Sequence, residues 1–208
     1  MEDFLYAKSL LNSAEDCFEL KIPAYNNDIA IDFCKTMQNN FFTYHKGDNK
    51  NRFALPIVNV TGKIDDSSFI IVKDDLHEML FTTPTPYYYQ SGLDKILDNF
   101  GEDVGRTHII NAKQGGYFSP HRDGPNFLFP TEETFRLLVC IQHCGQNKMH
   151  FVLNNKILSL HDAKIFYINT IQVHSLVSFN NDCFFLLANI RITKKSVFML
   201  HKLTALNV

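Results

Sequence analysis

His121 and Asp123 flank Arg122 in the segment YFSPHRDG (Tyr117–Gly124). On an extended chain, residues two apart point to the same face. The imidazole and the carboxylate therefore converge while Arg122 turns away. Two ligands do not make a useful metal site, and the third candidate is His174, within YINTIQVHSLVSF (Tyr167–Phe179). His-x-Asp followed much later by His is the 2-His-1-carboxylate set, which leaves open positions on Fe(II) for a co-substrate and dioxygen. Asp123 and His174 are 51 positions apart, enough for four or five strands, about half a jelly-roll barrel. Strands on opposite sides of such a barrel can aim side chains at one interior. His-x-Asp alone arises by chance, and a lone strand His is usually a core or surface residue. Burying a carboxylate and an imidazole unpaired is costly, however, so a complete set has little purely structural reason to exist.

The elements that must position these residues divide near residue 100. Before it, helical and irregular stretches alternate. Asn27-Asp28 followed by IAIDFCKTMQNNF reads as a capped helix with Ile29, Phe33, Met37 and Phe41 on one face. Lys46–Arg52 is a polar turn, residues 74–80 a helical turn, and Gly92–Phe100 a short helix burying Leu93, Ile96, Leu97 and Phe100. After Gly105 the chain reads as short strands: RTHIINA, RLLVCIQH, KMHFVLN, KILSL, AKIFYIN, VHSLVSF and CFFLLANIRIT. Gly115-Gly116, Asn154-Asn155 and Asn180-Asn181 mark turns between them. The expected fold is mainly β with flanking helices: a double-stranded β-helix (jelly roll, cupin-like) core over about 105–192. A helical and irregular packing layer occupies about 1–100, and a tail of undecided structure 193–208, all in one domain.

Composition excludes several classes. The 208 residues are 45% hydrophobic, which is too apolar for disorder. A formal charge of -2 gives no electrostatic footprint for nucleic acid. No run approaches the roughly 20 apolar residues of a membrane span. The N-terminus, MEDFLYAKSL, carries acids where a signal peptide carries Lys or Arg. Five scattered Cys suit free thiols in a reducing compartment, so the expected location is the cytoplasm. His143-Cys144 with His150 invites a zinc reading, but the second ligand pair of a zinc finger is missing, and the reading is rejected.

The run from Gly105 to Asp123, GRTHIINAKQGGYFSPHRD, resembles the metal-binding entry of the aspartyl/asparaginyl β-hydroxylase and free-proline hydroxylase group. Phe135–Ile141 resembles the strand that follows in that group, and Met149–Lys156 its next hairpin. Asp162–Lys164, Phe166–Thr170 and His174–Val177 resemble its run into the distal metal ligand. The resemblance covers about 105–192. It implies an Fe(II)- and 2-oxoglutarate-dependent dioxygenase in which His121, Asp123 and His174 hold the metal. 2-Oxoglutarate would chelate the iron through its 2-oxo acid end, dioxygen would take the remaining position, and succinate and CO2 would leave as a substrate C–H is hydroxylated. The substrate class is a free amino acid, a related small molecule or a protein side chain.

The far carboxylate of 2-oxoglutarate needs a cation, and Arg's planar fork suits it. Arg136 matches the Arg that the family carries on the strand after His-x-Asp. Two departures make the pocket atypical. Cys183-Phe184-Phe185 stands where the family often places a second Arg, leaving Arg191 as a weaker substitute, and Leu138 replaces a family His. Asn169 is a further pocket candidate. Arg52 and Tyr117 are candidates for contact with substrate, Arg52 by reaching over the site to clamp a carboxylate. Phe118, Phe127, Phe129, Phe135, Phe166, Phe184 and Phe185 are expected to form a dry shell around the metal segments. Two further readings stand beside the oxygenase. One is a non-catalytic jelly-roll module that binds a ligand or protein, favoured by the missing second Arg. The other is a zinc or manganese cupin enzyme, for which no general base is evident.

Overall fold

The computed structural model describes residues 2–12, 15–22, 25–43, 51–64, 80–123, 133–145 and 147–205. The chain runs α1 (Glu2–Asn12), β1 (Cys17–Leu20), α2 (Asn27–Thr36), β2 (Phe42–Thr43), β3 (Arg52–Asn59), β4 (Thr83–Pro84), α3 (Tyr87–Gln90) and α4 (Asp94–Leu97). It continues β5 (Val104–Ala112), β6 (Tyr117–His121), β7 (Thr134–Gln142), β8 (Met149–Leu153), β9 (Lys156–Ile157), β10 (Ile165–Ile168), β11 (His174–Ser178), β12 (Cys183–Arg191) and α5 (Lys194–Ala205).

The strands form two antiparallel sheets. The larger has the order β1-β10-β7-β12-β5-β3-β2, with β4 paired to β3, and the smaller has the order β6-β11-β8-β9. In each sheet, strands distant in sequence lie side by side, and the two sheets face each other as a double-stranded β-helix, the expected jelly roll. Alternation along the larger sheet's strands separates two cores. On its outer face, Leu137, Val139, Ile165, Leu186 and Ile190 join a cluster with Leu11, Ala30, Phe33, Leu97 and Leu200 of the helices. On its inner face, Ile110, Leu138, Cys140, Phe166 and Phe185 meet Met149, Phe151 and Leu176 of the smaller sheet. Any site aimed at the barrel interior must therefore come from the inward-facing half of each strand.

Several local readings hold, and others shift for physical reasons. The Asn26 side chain accepts a hydrogen bond from the Asp28 amide and starts α2. The buried stripe of α2 is Ala30, Phe33 and Cys34, while Ile29 is half exposed. A spacing of four overshoots a 3.6-residue turn by about 40°, so the expected Ile29–Phe41 row drifts off the packed face. Leu93, Ile96, Leu97 and Phe100 are all fully buried. The undecided tail is helix α5. The Thr193 hydroxyl accepts from the Ser196 amide while the Ser196 hydroxyl accepts from the Thr193 amide, a reciprocal cap that starts this helix.

The first hundred residues are more than a packing layer, because β1 and β3 belong to the larger sheet. Pro56 inside RFALPIVN reads as a strand breaker, yet it sits where the β3–β5 register shifts, a place that tolerates a missing amide. Of KILSL, only Lys156–Ile157 is strand. Residues 46–50 and 74–79, Phe127 and Phe129 lie outside the described residues. Gly116 closes the approach to β6. A Cβ there would stand 2.5 Å from the Asn51 carbonyl oxygen and 2.9 Å from that of Lys113, so only glycine lets these backbones meet.

Candidate metal centre

His121 ends β6 and His174 begins β11, and the two are register partners across the smaller sheet. His174 faces inward by alternation with Leu176, and the register shift between them lets His121, three residues after the inward Phe118, face the same way, with ring centroids 4.2 Å apart. Asp123 follows β6. Its amide donates to the Thr170 carbonyl at 2.9 Å, which pins it to the segment leading into β11. His121 Nε2 lies 3.6 Å from Asp123 Oδ1, and His174 Nε2 lies 3.7 Å from Asp123 Oδ2. These separations are too long for hydrogen bonds and short enough for one ion to touch all three groups. Among the described residues this is the one group of three potential ligands, its donor atoms all within 4.8 Å of one another.

The tautomers are set locally. His121 Nδ1 stands 2.6 Å from the Ser119 carbonyl oxygen and His174 Nδ1 stands 3.0 Å from that of Gln172. A carbonyl only accepts, so each neutral ring donates from Nδ1 and keeps its Nε2 lone pair for the centre. Accepting groups behind metal-binding imidazoles fix ring orientation in this way. Two imidazole nitrogens and a carboxylate fit Fe(II) as a ligand set. The side chain of His174 is 7% exposed and that of His121 40%, so the centre is closed on the β11 side and open at β6. The Phe151 ring lies parallel to His174 with centroids 6.0 Å apart.

Arg136 comes from the inner face of β7, beside Ile168 and Asn189. Its Nη1 reaches Asp123 Oδ2 at 2.8 Å. Burial pushes the Asp123 carboxyl up, but Arg136, His174, a Thr170 hydrogen bond and His121 outweigh it and hold the group below its ordinary value. Burial likewise holds His174 below its ordinary value, against the upward pull of Asp123. Both groups are therefore in their ligating forms at neutral pH.

A pH dependence follows. Unfolding returns His174 to its ordinary value near 6.5, so the unfolded chain takes up the extra proton first as pH falls. This contribution to stability is complete above about pH 6.5 and declines as pH drops toward the folded value. Asp123 acts in the same direction in a more acidic window. The urea midpoint of the metal-free protein is expected to fall between pH 7 and pH 5.5. His174→Asn should make that fall shallower.

The remaining sequence candidates are placed differently. Arg136 stands against the Asp123 carboxylate, at the end of the barrel where the three candidate ligands converge. The Arg191 guanidinium donates to the Glu102 and Val104 carbonyls, which gives it a structural attachment outside the centre. The Asn169 amide donates to Asp16 Oδ1 at 3.1 Å and its oxygen accepts from the Ile171 amide, so it anchors the loop before β11. Tyr117 is 42% exposed and alternates with the inward Phe118, so it faces away from the interior. Arg52 is no loop residue reaching over the site: it is buried as the first residue of β3. Phe118, Phe166 and Phe185 belong to the inner core, but Phe135 and Phe184 face the helices. Phe151 and Thr170 were missed. Alternation of KMHFVLN would have pointed Phe151 inward; Thr170 carries no pattern.

No family model matches the sequence, and no curated protein matches it. Solved structures do. A prolyl-4-hydroxylase from Pseudomonas putida is similar over 90% of this chain and 98% of its own, with a TM-score of 0.50 at 10% identity. An oxidoreductase of the 2OG-Fe(II) oxygenase family from Burkholderia pseudomallei is similar over 92% and 90%, with a TM-score of 0.45 at 10% identity. An RmlC-like cupin from Desulfovibrio desulfuricans matches 42% of this chain and 73% of its own, with a TM-score of 0.32 at 12% identity. The strand order, with the chain-long likeness to the prolyl-4-hydroxylase, gives this protein a 2-oxoglutarate/Fe(II)-oxygenase-like fold.

Proposed function

We propose that the chain is an Fe(II)- and 2-oxoglutarate-dependent dioxygenase that hydroxylates a C–H bond of a free amino acid, a related small molecule or a protein side chain, with succinate and CO2 as co-products. The convergence of His121, Asp123 and His174, both Nε2 atoms aimed at one carboxylate, carries this reading. Fe(II) bound there would supply dioxygen activation in the presence of 2-oxoglutarate. The chain's own tasks are narrower. The Ser119 and Gln172 carbonyls hold each imidazole in its ligating tautomer. Thr170 and Arg136 hold Asp123 in place and ionised. Arg136 also offers a guanidinium where the chelating end of a 2-oxo acid arrives. Phe151, Phe166 and Phe185 keep the inner side dry. The open side at His121 is the side from which substrate enters. Five free thiols fit a reducing compartment such as the cytoplasm, and among the described residues no helix is long and apolar enough to cross a membrane.

The second reading is a non-catalytic jelly-roll binding module. The Asp123–Arg136 ion pair favours it, because that pair balances the carboxylate without a metal. One experiment separates the two. Metal-free protein is mixed anaerobically with Fe(II) and 2-oxoglutarate, the visible charge-transfer band is recorded, and air is then admitted and succinate assayed. The oxygenase gives the band and then succinate; a protein that gives neither is the binding module.

A further inference from the structure

We propose that Arg52 is the cation that receives the far carboxylate of 2-oxoglutarate, supplied by the strand preceding the core in place of the last core strand. The inference rests on the oxygenase reading above. Arg52 opens β3 opposite Ala112 of β5, and Ala112 stands opposite Cys183 of β12. Ala54, Ala112 and Cys183 all belong to the inner core, so alternation aims Arg52 into the barrel. It is only 3% exposed. Its guanidinium carbon lies 4.1 Å from the centroid of the Phe118 ring on β6, so the side chain crosses the interior from one sheet to the other.

Position along the barrel decides its role. Phe118 lies three residues before His121 on the same strand and is paired with Leu176, two residues after His174. At about 3.3 Å per residue, the Phe118–Leu176 level against which the guanidinium stacks lies roughly 7–10 Å along the strands from the two histidines. A five-carbon dicarboxylate chelated through its 2-oxo acid end projects its other carboxylate to that depth. The two other sequence candidates are placed elsewhere: Arg136 lies against the ligand Asp123, and Arg191 is held by main-chain carbonyls. On β12 the inward positions at this depth are Cys183 and Phe185, neither of them basic. Small side chains surround the Arg52 level, with Ala54 and Ala112 beside it and Ser178 hydrogen-bonded to Cys183 at 3.1 Å. A guanidinium stays charged when buried, stacks on an aromatic face, and matches a carboxylate through two parallel hydrogen bonds. The inference also sets specificity: the pocket takes a five-carbon 2-oxo diacid in preference to a 2-oxo monoacid.

The test uses full-length protein loaded with Ni(II), which does not turn over, and calorimetric titration with 2-oxoglutarate and with pyruvate, which chelates alike but has no far carboxylate. Arg52→Met is expected to weaken 2-oxoglutarate by about 30-fold or more, as loss of a buried charged hydrogen-bond partner does, and to leave pyruvate unchanged. Arg52→Lys should recover part of the loss. Unchanged pyruvate affinity also shows that the variant barrel is folded. A 2-oxoglutarate affinity within about threefold of wild type, or an equal loss for both acids, overturns the inference and leaves the oxygenase reading standing. Wild-type protein that binds neither acid overturns both.

Discussion

Asp123→Ala is expected to weaken Fe(II), Co(II) or Ni(II) binding by more than about 100-fold, since losing a group behind a ligand already costs about 10–100-fold and Asp123 is the set's one anionic ligand. Its geometry explains why no neighbour replaces it. The carboxylate is the point on which both Nε2 atoms converge, one imidazole facing each oxygen. Its main chain is fixed to Thr170, and among the described residues no other carboxylate joins the two imidazoles. Asp123→Asn should fail similarly, because it keeps the shape and loses the charge. Competition against a chelator measures the affinity, and the urea midpoint shows that the variants are folded. Removing the partner of a mostly buried Arg136 should lower that midpoint by about 1–3 kcal/mol in stability, which a folded domain tolerates. Metal affinity preserved in both variants would contradict the assignment of this centre.

Arg136→Met should have the next largest effect, on 2-oxo acids as a class. The guanidinium stands at the metal end, so losing it should weaken pyruvate and 2-oxoglutarate alike, by about 10–100-fold, the range expected when a charge-assisted hydrogen bond is removed. This separates it from Arg52, whose loss should discriminate between the two acids. A second effect follows from the carboxyl. Without Arg136, less opposes the upward push of burial on Asp123, so protonation sets in at higher pH. The pH at which metal is released should therefore move upward. Calorimetry of Ni(II)-loaded protein with both acids, and metal release followed over pH, measure the two effects. Selective loss of 2-oxoglutarate with pyruvate spared would return Arg136 to the far carboxylate.

The core of the fold was legible because its strands carry strong local signals. RLLVCIQH and CFFLLANIRIT are rich in branched and aromatic residues and are bounded by turn dipeptides. The nearness of His121 and Asp123 was legible for a related reason, since they are two residues apart, although Asp123 lies past the end of β6 and is placed by its bond to Thr170. Other features depend on contacts between distant segments, which no local pattern records. CFEL is too short to announce a strand, and β1 exists because it pairs with β10 at the sheet's edge. RFALPIVN hides a central strand behind a proline that the register shift accommodates. The depth of an arginine in the barrel depends on pairing register, so Arg136 and Arg52 could be identified as candidates from sequence but not sorted by position. Asn169 and Arg191 looked available in sequence, and the fold engages both in local structure.

The acceptors behind the two histidines are the main-chain carbonyls of residues 119 and 172. Many imidazole ligands lean on a carboxylate instead, and evolution can change that side chain to adjust the ligand's basicity. Here neither acceptor has a side chain to change, so substitutions at Ser119 or Gln172 leave the hydrogen bond to the ring intact. Electron donation from both imidazoles is thereby locked to a neutral amide. With a metal bound, Asp123 and its guanidinium partner would be the part of the set whose surroundings a side-chain substitution can adjust, while the acceptors behind the two rings would stay as they are.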